Sequence, residues 1–154
     1  MISVSSLTRY YGSHAAVENV SFQISDKEVV GFLGLNGAGK STTLKVLAGV
    51  LMPTAGEVCI DGVNVLDAPD SFRARIGFLP EDPPLYREMQ VGEFLRWVGQ
   101  IKGLSKTQLQ TRLPEVLEIC QLSDRENWVI GTLSHGYRKR VGIAQSIIHR
   151  PKLV

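Results

Sequence analysis

The apolar run Val29-Val30-Gly31-Phe32-Leu33 opens directly into Gly34-Leu35-Asn36-Gly37-Ala38-Gly39-Lys40-Ser41-Thr42, and no other stretch of the chain restricts its fold as much. Residues 34 to 41 fit G-x-x-x-x-G-K-[ST], a loop that joins a strand to a helix. Glycines at 34, 37 and 39 allow successive backbone N–H groups to turn inward and a ligand to approach the main chain closely, which makes an anion cradle. Lys40 brings a point charge toward the β- and γ-phosphates, and the Ser41 hydroxyl is the expected ligand for Mg²⁺. Past Gly39 the residues read as a helix through Ala48, whose first amides and dipole favour the same anion. Such a chain is expected to be an α/β protein that holds a nucleoside triphosphate.

Length bounds the rest. The 154 residues, 44% hydrophobic and 21% charged, can build one core but are few for a complete nucleotide-driven motor. Lys and Arg number 17 against 15 Asp and Glu, for a net charge of +2, and no basic run stands out, so nucleic acid is not an expected partner. Cys59 and Cys120 lie far apart without a CxxC spacing and read as buried reduced thiols. No N-terminal signal pattern occurs, and the apolar stretches are too short to cross a bilayer. Work at a membrane would need a partner chain.

Strands come first and helices later. Val20, Phe22 and Ile24 alternate with polar residues at the period of a half-buried strand. Val58-Cys59-Ile60 and Val63-Asn64-Val65 flank Asp61-Gly62, the signal for a hairpin with a two-residue turn. Arg75 to Pro80 reads as a further core strand stopped by the proline. After Glu81-Asp82-Pro83-Pro84 the period becomes helical: Val91, Phe94, Leu95, Val98 and Ile101 share a face, and Gly103 ends it. Ser105 with Gln108 forms a capping box for the next helix, which Pro114 is expected to break or kink. A last helix should start near Ser134 and stop before Pro151, with Val141, Ala144, Ile147 and Ile148 inward. Lys152-Leu153-Val154 then opens like a buried parallel strand. Methionines and aromatics fall at core spacing and are assigned no site.

A second chemical motif is Leu133-Ser134-His135-Gly136-Tyr137 followed by Arg138-Lys139-Arg140-Val141-Gly142-Ile143-Ala144-Gln145. A P-loop, a helical insertion and then L-S-x-G at a helix start resemble an ABC transporter ATPase. The departures, with Phe78 to Tyr86 and L-S-x-G-Y-R-K-R-V-G, look most like bacterial exporter ATPases that pair with ABC-2-type membrane subunits, near the gliding-motility subgroup. The resemblance covers the whole chain. It implies a fold of the P-loop NTPase class: an N-terminal antiparallel β layer, an incomplete parallel sheet and a helical subdomain, divided as residues 1–80, 81–131 and 132–154.

For the site, the resemblance implies that ATP and Mg²⁺ are bound by Gly34, Leu35, Asn36, Gly37, Ala38, Gly39, Lys40, Ser41 and Thr42. Tyr11 falls where the family stacks an aromatic ring on adenine, with Tyr10 as competing candidate. Ser134, His135 and Gly136 form the signature that faces the γ-phosphate held by a second subunit; a hydroxyl and a close amide at a helix N-terminus suit that role. His135 and Tyr137 stand where glycine and glutamine are commonest, and Glu81 stands where a glutamine senses Mg²⁺, the attacking water and the membrane subunit; a carboxylate can also ligate Mg²⁺. The implied partners are an integral membrane permease subunit and a second ATP-binding subunit, at the cytoplasmic side of the cell membrane. The family's aspartate for Mg²⁺, its general-base glutamate and its switch histidine are expected beyond Val154, so this stretch alone should bind nucleotide without turning it over. Two other readings remain, a soluble ABC-type ATPase and a non-catalytic nucleotide-binding fragment. The first usually carries tandem cassettes or long coiled-coil insertions, and neither is seen.

Overall fold

A computed structural model describes residues Met1–Val154, which divide into two compact units, Met1–Arg75 and Ile76–Val154. The first unit is built on four antiparallel strands: β1 (Ile2–Tyr11), β2 (His14–Ile24), β3 (Ala55–Ile60) and β4 (Val63–Asn64), in spatial order β2-β1-β3-β4. Its helices are α1 (Lys40–Leu47) and the short α2 (Pro69–Arg73). The β3–β4 hairpin forms as its Asp-Gly signal requires. Cys59 pairs with Asn64 and Ile60 with Val63, and Asp61 and Gly62 take φ of 48° and 76°, the two positive values of a type I′ turn.

Strand alternation holds with one correction. Ile24 is buried and Phe22 half-buried, but Val20 is 37% exposed. Asn19 sits at φ 50° beside a register shift, so the inward phase changes there and Val17 is the next buried residue. β1 shifts phase in the same way between Val4 and Leu7, both buried. The larger correction concerns residues 29–33, expected as a strand. No ladder forms there, and Val29 and Leu33 are 99% and 96% exposed. A strand's N–H and C=O groups need a neighbouring backbone to form a ladder, and none pairs with these residues, although the Phe32 ring packs edge-on at 5.6 Å from Phe22 of β2.

The second unit holds α3 (Val91–Ile101), α4 (Lys106–Ile119) and α5 (His135–Ile147), with 3₁₀ turns at Ser123–Arg125 and Ile130–Thr132. Val91, Phe94, Leu95 and Val98 of α3, Leu109, Leu113, Val116 and Leu117 of α4, and Val141, Ala144 and Ile148 from α5 and its end close one core. Ile101, expected on that face, is 63% exposed because the stripe outruns the core at Val98. The capping box is complete: Ser105 Oγ accepts from the Gln108 amide at 3.2 Å, and Gln108 Oε1 accepts from the Ser105 amide at 2.8 Å. Pro114 does not break α4, which runs through to Ile119. The buried Leu113, Val116 and Leu117 on either side carry the helix across the missing hydrogen bond.

The strand expected over 75–80 is reduced to a single parallel bridge, Ile76 with Leu153, closed by the Gly77 amide on the Leu153 carbonyl at 2.8 Å. Beside it the Ile76 carbonyl contacts His149 Nε2 at 2.9 Å, so Nε2 carries the proton. Burial holds the His149 imidazole below its usual range, with Lys102 and Arg112 adding to the shift. Aromatics depart from core spacing as well. Phe72 and Phe94 are fully buried, yet Tyr86, Trp97 and Trp128 are 52%, 39% and 46% exposed. Both cysteines are free, Cys120 buried and Cys59 partly so. No helix is long and apolar enough to cross a membrane.

Candidate functional site

The first unit gathers its chemistry at one place. α1 opens at Lys40, and its first intrahelical bond runs from the Thr43 amide to the Gly39 carbonyl at 2.8 Å. The amides of Lys40, Ser41 and Thr42 therefore have no carbonyl partner within the helix and point out of its N-terminus. Gly39 precedes them at φ 81° and Gly37 sits at φ 86°, values that side-chain-bearing residues rarely adopt. At Gly39 space is a second restriction, since a Cβ would overlap the Ala16 carbonyl oxygen and come within 2.9 Å of Val17 Cγ2. The loop is thus pressed against β2.

Lys40 Nζ lies inside the loop, donating to the carbonyls of Gly34 at 2.7 Å and Leu35 at 2.6 Å. The Ala38 amide donates to the Leu35 carbonyl at 3.2 Å, which closes the turn. Thr43 Oγ1 donates to the Gly39 carbonyl at 3.0 Å, tying the helix start to the last glycine. A cavity of about 380 Å³ is lined by Asn36, Gly37, Gly39, Lys40, Ser41 and Thr42 on one side and Tyr11, His14 and Ala16 on the other. Tyr11 is 48% exposed, with the Arg9 guanidinium 5.1 Å from its ring centroid. Tyr10 does not line this cavity; its hydroxyl is bonded to Glu18 at 3.2 Å. No motif in the sequence marks His14 or Ala16 as site residues. The available signal was the two-residue Gly12-Ser13 turn, which sets His14 directly opposite Tyr11.

The second unit carries the other motif. Ser134 is the N-cap of α5, its hydroxyl accepting from the Tyr137 amide at 3.4 Å, and Ser134, His135 and Gly136 are all exposed at that helix start. The turn is held from both sides. Arg138 donates to the Leu133 carbonyl, while Arg125 lies 4.2 Å from the Trp128 ring centroid and 5.4 Å from that of Tyr137. Lys139 Nζ donates to the backbone carbonyl of Glu81, whose own side chain is exposed. His135 lines a smaller cavity of about 210 Å³ with Asp82, Pro83, Arg87, Arg138 and Lys139. Ser41 and Glu81, the residues expected at Mg²⁺, belong to the first and second unit respectively.

The glycine cradle, its inward lysine, the helix N-terminus behind it and the aromatic-edged cavity define a P-loop nucleotide-binding protein. The chain belongs to the ABC transporter family, whose profile matches residues 17–154. It is 43% identical over 154 residues to an uncharacterized ABC transporter ATP-binding protein, YxlF, of Bacillus subtilis, covering 100% of this chain and 50% of that protein. With the bacitracin transport ATP-binding protein BcrA of Bacillus licheniformis it shares 34% identity over 154 residues, 100% of this chain and 49% of the relative. Its fold matches the dimeric post-hydrolysis structure of the ATP-binding cassette MJ0796 bound to ADP and Pi, with a TM-score of 0.83 and 28% identity, over 98% of this chain and 71% of that one. The chain spans about half the length of the curated relatives it matches.

Proposed function

We propose that this chain supplies the nucleotide-binding part of an exporter's ATP-binding subunit, with loop residues 34–42 binding MgATP at the cavity that Tyr11 borders together with Asn36, Gly37, Gly39, Lys40, Ser41 and Thr42. The observation that carries this reading is the cavity itself. Phosphate-binding amides, one inward ammonium and an exposed aromatic ring border the same space. Lys40 would exchange its two loop carbonyls for phosphate oxygens, a stronger charge-assisted pairing. The amides of residues 40–42 hold the phosphates in place, and the Tyr11 ring receives the base. Mg²⁺ bound here would neutralise phosphate charge, and Ser41 would hold it from the loop.

Ser134, His135 and Gly136 are proposed to act on nucleotide held by a second subunit, an arrangement supported by the dimeric state of the MJ0796 cassette. Hydrolysis in the complete protein, placement at the cytoplasmic face of the membrane and pairing with a permease subunit belong to the same proposal. So does the division of labour among residues 1–80, 81–131 and 132–154. A relative named for Nod factor export, 32% identical over 154 residues, supports export as the direction. Calorimetry with MgATP tests the reading. Lys40→Ala is expected to weaken binding by about tenfold to a hundredfold, the loss of a charged hydrogen-bond donor. Equal affinities for wild type and variant would overturn it.

A further inference from the structure

His14 is the one side chain with hydrogen-bonding nitrogens on the Tyr11 side of the cavity, and neither the loop motif nor the family signature includes it. Its position is set by backbone geometry. β1 ends at Tyr11, β2 begins at His14, and the two residues are directly paired across a Gly12-Ser13 turn whose Gly12 has φ 59°. A two-residue turn leaves no freedom of register, so the two Cβ atoms lie about 4.5–5.5 Å apart. His14 and Ala16 are two residues apart on β2 and both line the cavity, as the period of a strand requires. Ala16 marks the phosphate end, because its carbonyl abuts Gly39. His14 therefore sits about 6.6 Å further along the strand, away from the phosphates and beside the ring that receives the base.

We infer that His14 is a specificity-determining contact for the nucleoside half of the ligand, hydrogen-bonding the sugar or the base edge while the loop binds the triphosphate. The inference rests on the nucleotide-binding reading of this cavity. Arg9 sits over the Tyr11 ring at 5.1 Å, so the aromatic has one face to offer, and stacking on one face is tolerant of ring identity. An imidazole beside it supplies the directional element. Neutral histidine presents one donor and one acceptor, and the nucleoside carries both kinds of partner. Inorganic triphosphate carries neither sugar nor base, and separates the two halves cleanly.

The test measures binding of MgATP and of magnesium tripolyphosphate to wild type, His14→Ala, His14→Gln and Lys40→Ala. His14→Ala is expected to weaken MgATP about fivefold, the loss of one hydrogen bond, and to leave tripolyphosphate unchanged; His14→Gln should recover part of the loss. Lys40→Ala should weaken both ligands. His14 is exposed, so its replacement leaves the packed interior intact. MgATP affinity unchanged in His14→Ala, or equal losses for both ligands, would overturn the inference while a Lys40 effect preserved the phosphate site. Insensitivity of both ligands to Lys40→Ala would instead remove the underlying reading, and with it this one.

Discussion

Both units close a buried core, and they differ in the apolar stretch that the first leaves uncovered. In residues 76–154 the helices close their backbone hydrogen bonds internally, and Phe94, Leu95, Val116, Leu122, Ile130, Val141 and Ile148 are essentially inaccessible. In residues 1–75 the antiparallel strands are paired, yet the apolar stretch leading into the loop leaves Val29, Leu33 and Leu35 at 99%, 96% and 85% exposure. A helix needs neighbours for its apolar stripe alone, whereas a strand needs them for its backbone too. The helical unit is expected to hold its stability in a buried core, and the β unit to hold its chemistry in a loop supported from one side by β2.

Substitutions at four positions test that contrast. Phe94→Ala should destabilise the helical unit by about 3–5 kcal/mol, since a fully buried ring leaves a cavity. Both tryptophans, Trp97 and Trp128, lie in this unit, so the denaturant midpoint of intrinsic fluorescence follows it selectively. A loss below about 1 kcal/mol would mean the core is loosely packed. Gly39→Ala comes next: strain at φ 81° together with overlap on the Ala16 carbonyl should cost about 1–3 kcal/mol and abolish MgATP binding, with the tryptophan transition little changed. Calorimetry and far-ultraviolet melting report the two effects separately. Retained binding would mean the loop does not need its contact with β2.

Ser134→Ala removes the cap of α5 and should lower stability by about 1 kcal/mol, seen again in the fluorescence midpoint, while Ser134→Asp should preserve it. MgATP affinity should be indifferent to both. Leu33→Ser is the smallest change, expected to shift the melting free energy by less than about 0.5 kcal/mol because the side chain is 96% exposed. It should also reduce light scattering on concentration, as one member of an exposed apolar run is lost. A loss comparable to that of Phe94→Ala would show that the run is packed, and the contrast between the units would fail.

Local rules were legible wherever the chemistry that enforces them is local. The glycine positions of the loop, the Asp-Gly hairpin, the Ser105–Gln108 box and the Ser134 cap are each closed by atoms within a few residues, and all appear where the sequence places them. Helical periodicity was equally readable in α3 and α5, because an α-helix completes its own hydrogen bonds before it packs. The family resemblance points to Tyr11 with Tyr10 as competitor; Tyr11 lines the cavity beside Lys40 and Ser41, while the Tyr10 hydroxyl is bonded to Glu18.

Distance defeats the same reasoning. Residues 29–33 have every local mark of a strand and form no ladder, since pairing depends on a segment elsewhere in space. Pro114 breaks a helix by local rule and does not break α4, because the core beneath Leu113 and Leu117 outweighs one lost bond. Val20 and Ile101 follow an apolar period and still face solvent, one past a bulge and the other past the end of its core. His14 carries no motif at all. A tight turn and a cross-strand register bring it to the site, and register is a property of two strands that neither contains alone.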